Sequence, residues 1–156
     1  MKYIALIICV MASLSFTNQP TKLEPVKWRF YTEQIDGSNY LIMKATIDDG
    51  WKMYGSFPSA GIEFEPCNGD LGPTCLEVTV EEGQVFLIGG VKGTKAAIKS
   101  YDKVFKGDIT YYTNSVELRQ EIKNAPNNVI KGYVYFMSCN DEKCMPPKYV
   151  DFEVAI

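Results

Sequence analysis

VKWRFYTEQIDGSNYLIMKATI, residues 26–47, holds two alternating runs on either side of a turn. Val26, Trp28 and Phe30 alternate with Lys27, Arg29 and Tyr31. After the turn Asp36-Gly37-Ser38-Asn39, the apolar residues Leu41, Met43, Ala45 and Ile47 recur at every second position. A period of two puts one face of each run in a core and the other toward solvent, which is the signature of strands rather than of helices. The pattern continues outward from this stretch. Asp48-Asp49-Gly50 breaks it, and runs follow at residues 51–54, 62–64, 76–80 and 85–88, the last after a Glu82-Gly83 turn. Later runs lie at 97–105, 109–113, 116–122, 129–137 and 149–154. Residues 116–122 also fit one face of a short helix. Ten Tyr and eight Phe suit pleated surfaces. Many short strands with turns about every 8–12 residues predict an all-β antiparallel sandwich or barrel. No repeat, low-complexity tract or linker divides the chain, so one domain is expected over residues 20–156.

The 156 residues are 46% apolar and 22% charged, enough to bury a sizeable core. Sixteen basic and nineteen acidic residues give a net charge of −3, which argues against a surface that replaces counterions on nucleic-acid phosphates. The chain has no histidine, which excludes Ser–His and Cys–His catalysis and histidine-ligated metal. Any chemistry must be carried by cysteine, carboxylate, lysine or tyrosine. Residues 1–17, MKYIALIICVMASLSFT, read as a signal peptide: Lys2, an apolar run from Tyr3 to Ala12 and small residues at Ser13 and Ser15. The run is shorter than the roughly 20 residues a membrane helix needs. Ile8 before Cys9 argues against lipidation. The expected product is exported, not membrane-spanning, and carries 15 basic against 19 acidic residues. An exported chain retains disulfides, and four cysteines remain: Cys67, Cys75, Cys139 and Cys144.

Residues 132–151, GYVYFMSCNDEKCMPPKYVD, concentrate the chemistry. A strand ends at Ser138, Cys139 and Cys144 flank the polar turn Asn140-Asp141-Glu142-Lys143, and Pro146-Pro147 precede a strand expected near Tyr149. On chain entropy, a bridge closing this six-residue loop stabilises by about 2.2 kcal/mol, whereas joining Cys67 to Cys139 would give about 4.4 kcal/mol. A short exposed bridge is also easier for another thiol to reach. Spacing alone leaves a redox pair and a structural staple both open, and four cysteines allow three connectivities. The diproline prevents a helix past Cys144, so no helix dipole lowers a thiol pKa. Lys143 and Lys148 favour a thiolate while Asp141 and Glu142 oppose it. Near-ordinary thiols suit a carrier that reacts when docked. Cys67 and Cys75, in EPCNGDLGPTC, read as a structural disulfide holding a loop of Gly and Pro. Spacings of C-x₇-C and C-x₄-C do not fit the usual zinc knuckles, and no metal or cofactor is expected. Tyr111, Tyr112, Tyr133 and Tyr135 read as core and cross-strand packing rather than as a ligand site.

The segment CNDEKCMPP, ending one strand and leading into an aromatic-rich one, resembles the N-terminal periplasmic domain of the thiol–disulfide interchange protein DsbD. Gly50-Trp51-Lys52-Met53-Tyr54 resembles the family's early strand, which carries a tyrosine facing the cysteines. Lys103-Val104-Phe105-Lys106-Gly107 resembles its cap loop, where a phenylalanine covers the disulfide. The similarity spans residues 24–156. The resemblance implies an immunoglobulin-like β-sandwich in the periplasm. Its cysteine pair would pass electrons from a membrane thiol reductant to thioredoxin-like proteins, either disulfide isomerases or those of cytochrome c maturation. It implies that Cys144 forms mixed disulfides, Cys139 resolves them, Phe105 caps the pair and Tyr54 supports it. The sequence departs from the family in four ways. The cysteine loop is one residue shorter than in the best-known members. Lys103 stands where the cap has an acid, with Asp102 adjacent. Cys67 and Cys75 look like an addition, and no membrane or thioredoxin segment follows the sandwich. The alternative expectation is a non-redox interaction module with two structural disulfides.

Overall fold

The computed structural model describes residues 23–59, 73–81, 86–103, 105–123 and 129–156. The strands are β1 (Val26–Ile35), β2 (Ser38–Ile47), β3 (Lys52–Tyr54), β4 (Glu77–Val80), β5 (Phe86–Gly93), β6 (Ile98–Asp102), β7 (Gly107–Tyr112), β8 (Ser115–Lys123), β9 (Val129–Cys139) and β10 (Cys144–Ala155). No helix occurs among the described residues. The strands form two antiparallel sheets, ordered β1-β2-β8-β5 and β10-β9-β3-β7-β6, with β4 also paired to β9. The sheets pack face to face as the expected immunoglobulin-like sandwich. The signal peptide expected at 1–17 and the run expected at 62–64 lie outside the described residues.

The opening hairpin follows from its sequence. Ile35 pairs with Ser38, so the loop is only Asp36-Gly37. Both residues have positive φ, 50° and 83°, as a tight hairpin turn of matching twist requires. The alternating faces of β1 and β2 then set the core. Leu41, Met43 and Leu118 from one sheet meet Met53, Tyr112, Ile130 and Val134 from the other, all fully buried. The buried Tyr112 hydroxyl accepts the Phe57 N–H at 3.1 Å. Trp28 and Phe30 reach from β1 across the sandwich opening: Trp28 lies 5.8 Å from Phe136, and Phe30 stacks 4.7 Å from Phe152. Residues 116–122 are a strand, wedged between β2 and β5. Gln120 on its buried face is satisfied by the carbonyls of Ile88 and Glu121.

The site depends on β9. Ile130, Val134, Phe136 and Ser138 face the core, so Lys131, Tyr133, Tyr135, Met137 and Cys139 lie on the outer face of the larger sheet. One edge of β9 is shared end to end, with β4 along residues 132–135 and β3 along 138–139. The other edge carries β10. The structure corrects one boundary: β10 begins at Cys144 rather than near Tyr149. Pro146 and Pro147 lie in a register shift between Met145 and Lys148. As β10 is an edge strand, the missing N–H groups break no internal ladder.

Candidate functional site

The β9–β10 hairpin brings the two sulfurs together. Cys139 and Cys144 are direct cross-strand partners with Cα atoms 4.0 Å apart and an S–S bond of 2.02 Å. Asn140 sets the turn between them. Its side-chain Oδ1 accepts the N–H groups of Glu142 at 3.0 Å and Lys143 at 2.8 Å, and its own N–H donates to the Lys143 carbonyl at 2.9 Å. Asparagine is suited to this because its short amide can take the place of a backbone acceptor in a turn. Asp141 extends to Lys52 of β3, with Nζ 3.1 Å from Oδ1, tying the turn to the neighbouring strand. The same ammonium sits 5.6 Å from the Tyr111 ring centre.

The bridge is asymmetric. Cys139 is 3% exposed, whereas Cys144 is exposed. The cover over Cys139 comes from neighbouring strands on the same face of the sheet. Tyr54 and Tyr111 are cross-strand partners on the outer face, and Tyr54 packs with Ile109, Met137, Phe105 and Cys139 in one apolar cluster. The β6–β7 connection brings Phe105 down onto Tyr54, ring centres 6.1 Å apart and nearly perpendicular at 80°. Asp102 anchors that connection: its Oδ1 accepts the Phe105 N–H at 3.1 Å. Lys106 follows with φ 53°, closing the turn into β7. A cleft of about 350 Å³ lies between this connection and the cysteine turn, with both cysteines in its lining. Burial, reinforced by the nearby Asp102, Tyr111 and Asp141, pushes the Tyr54 hydroxyl up to about 12, so it stays neutral throughout the range in which thiols titrate.

Six residues singled out from the sequence therefore line one cleft: Cys139, Cys144, Tyr54, Phe105, Asp102 and Lys103. Cys67 lies outside the described residues. Cys75 is disulfide-bonded and, since Cys139 and Cys144 bond each other, its mate is neither of them. Cys75 also packs against the cluster that holds Cys139, a placement its sequence surroundings gave no reason to expect. Lys148, expected to help a thiolate, instead meets Glu24 at 3.4 Å and lies 5.9 Å from the Phe136 ring centre. Lys52 and Tyr101, also on the cleft, escaped sequence reading. Lys52 occupies the outer face two residues before Tyr54, and that spacing was the available signal.

The family described as thiol:disulfide interchange protein DsbD, N-terminal, matches residues 19–156. No curated protein matches the sequence. Among solved structures, the reduced DsbD N-terminal domain of Neisseria meningitidis superposes with a TM-score of 0.51 at 17% identity, covering 80% of this chain and 81% of that one. The complex between the DsbD and PilB N-terminal domains, also from Neisseria meningitidis, gives 0.50 at 16% identity, covering 80% of each chain. The N-terminal periplasmic domain of ScsB from Proteus mirabilis gives 0.50 at 14% identity, covering 83% of this chain but only 45% of that chain. At these identities the structural likeness speaks to the fold.

Proposed function

Because the chain belongs to the DsbD N-terminal family of thiol:disulfide interchange proteins, we propose that its Cys139–Cys144 pair carries reducing equivalents between a membrane thiol reductant and thioredoxin-like proteins of the periplasm. The observation that carries this reading is the one-sided exposure of the bridge, with Cys144 open and Cys139 covered. A thiolate must reach the sulfur it attacks, and Cys144 is the exposed residue of the two.

In the loading direction, a partner thiolate attacks Cys144 Sγ and forms a mixed disulfide. The Cys139–Cys144 bond breaks, and Cys139 leaves as a thiolate that takes up a proton. The partner's second thiolate then attacks its own bridged sulfur, and Cys144 leaves as a thiolate and is protonated. Two electrons and two protons have entered this chain, and the partner holds a disulfide. Delivery is the reverse: Cys144 attacks an acceptor's disulfide and Cys139 resolves the intermediate. Phe105 acts as the cap on the Cys139 side of the bridge, so that thiols reach the pair through Cys144. Tyr54 supports that ring, and Asp102 and Lys103 hold and border the cap. The turn's tie to Lys52 keeps the two cysteines facing each other while the bond is open. Cys67 and Cys75 serve as a structural disulfide. Residues 1–17 serve as the export leader, and residues 20–156 are the working domain. Among the described residues no helix is long and apolar enough to cross a membrane.

The test uses single cysteine variants. Cys139→Ser should accumulate a mixed disulfide through Cys144 with a thioredoxin-fold protein, seen as an intact-mass adduct. Cys144→Ser should form none and transfer no electrons. Full transfer by the Cys144 variant would contradict the reading and favour the alternative, a non-redox sandwich module.

A further inference from the structure

Beyond the cleft, the outer face of β9 and β10 carries a strip of aromatic rings. Tyr149 stacks on Tyr135 with ring centres 4.2 Å apart, and Tyr133 meets Tyr149 edge-on at 5.2 Å. Tyr149 and Tyr135 are direct cross-strand partners. Tyr149 nevertheless remains 62% exposed, so the strip is not closed over by its own chain. Period two puts these rings on the same face as Cys139, with Met137 between Tyr135 and Cys139. The strip runs along β9 away from the cap, on the β10 and β4 side of the sheet.

Its position decides its partner. The Tyr135–Tyr149 pair is four residues along β9 from the Cys139–Cys144 pair, about 13 Å at the usual strand rise. A protein bonded to Cys144 Sγ has one point of its interface fixed. A footprint of standard size, about 800 Å² on each partner, has a radius of about 16 Å if circular. Centred on the disulfide, it takes in the tyrosine pair. Exposed tyrosines are strongly enriched at such interfaces, where they bury large rigid area at low entropic cost. The strip is bordered by Glu77 opposite Tyr135 and Asp151 opposite Tyr133, a polar rim around an apolar centre.

We propose that Tyr149, with Tyr135 and Tyr133, is the docking surface for the thioredoxin-fold partner that exchanges disulfides with Cys144. This deepens the carrier reading and rests on it. The strip supplies affinity and orientation while the cleft supplies the reacting sulfur. Small thiols need only the cleft.

The experiment compares reduction of the oxidised full chain by a reduced thioredoxin and by dithiothreitol, in the wild type and in Tyr149→Thr. Threonine keeps the strand preference at an exposed edge position, and Tyr31→Thr on the opposite sheet is the control. The expected result is a loss of about tenfold or more in the thioredoxin rate for Tyr149→Thr, the scale of a lost interface anchor. The dithiothreitol rate should stay unchanged and the melting temperature should fall by only a few degrees, about what two partly exposed ring contacts contribute, while both rates in Tyr31→Thr should match the wild type. An unaltered thioredoxin rate in Tyr149→Thr would overturn the docking surface alone. So would an equal fall in both rates, or a wild-type dimer lost in Tyr149→Thr without any change in exchange, which would assign the strip to a second copy. A wild type that exchanges with dithiothreitol but not with thioredoxin would overturn the carrier reading first.

Discussion

Cys139 and Cys144 are bonded to each other yet live in different surroundings, and Phe105 belongs to the apolar cluster that covers Cys139. Phe105 lies edge-on over Tyr54, which packs against Cys139. An aromatic edge contact contributes about 0.5–1.5 kcal/mol beyond the area it buries. Losing it would raise the population of an uncovered bridge by up to about tenfold, since each factor of ten corresponds to about 1.4 kcal/mol. Phe105→Ala is therefore expected to speed reduction by glutathione several-fold, read by free-thiol titration, while costing about 1–2 kcal/mol of stability for a half-buried ring. An unchanged glutathione rate would deny the ring its role as a lid. The cysteine pair, Tyr54 and Phe105 were legible in the sequence because a short motif and its order along the chain carried them. Lys52 with Asp141 was not, because that ion pair joins residues 89 apart that only the sheet brings together.

Elements position the site through pairings that alternation predicts in kind but not in partner. The Asp36-Gly37 turn and the period-two runs told of hairpins and of a sandwich. They did not say that β3 and β4 would divide one edge of β9 between them. Gly132 makes that division possible. A Cβ there would run into the backbone carbonyl of Thr79 and the ring of Phe152, so β4 approaches β9 at this point only over a bare Cα. Gly132→Ala is expected to destabilise by about 1–3 kcal/mol, the usual cost of overpacking. Denaturant melts should show it as a lower midpoint with an unaltered slope, and a midpoint equal to wild type would contradict the close approach. The start of β10 differs from the sequence expectation for a related reason. Two prolines in sequence read as a break, but an edge strand with a register shift accommodates them. The strand therefore reaches back to Cys144, and Cys144 faces Cys139 as a ladder partner instead of hanging in a loop.

At the scale of the molecule, the sandwich acts as a rigid mount. Its main core lies between the sheets, and the outer face of the larger sheet carries the smaller cluster around Cys139. Both the capped cleft and the tyrosine strip occupy that face. The lack of histidine removes imidazole from any chemistry on that face. The direct test of the account is the reduction potential of the Cys139–Cys144 bridge in the full chain, measured against glutathione and thioredoxin buffers. An electron carrier should lie between about −270 and −180 mV, the span from thioredoxin to protein disulfide isomerase. A potential below about −300 mV, where structural disulfides sit, would contradict it.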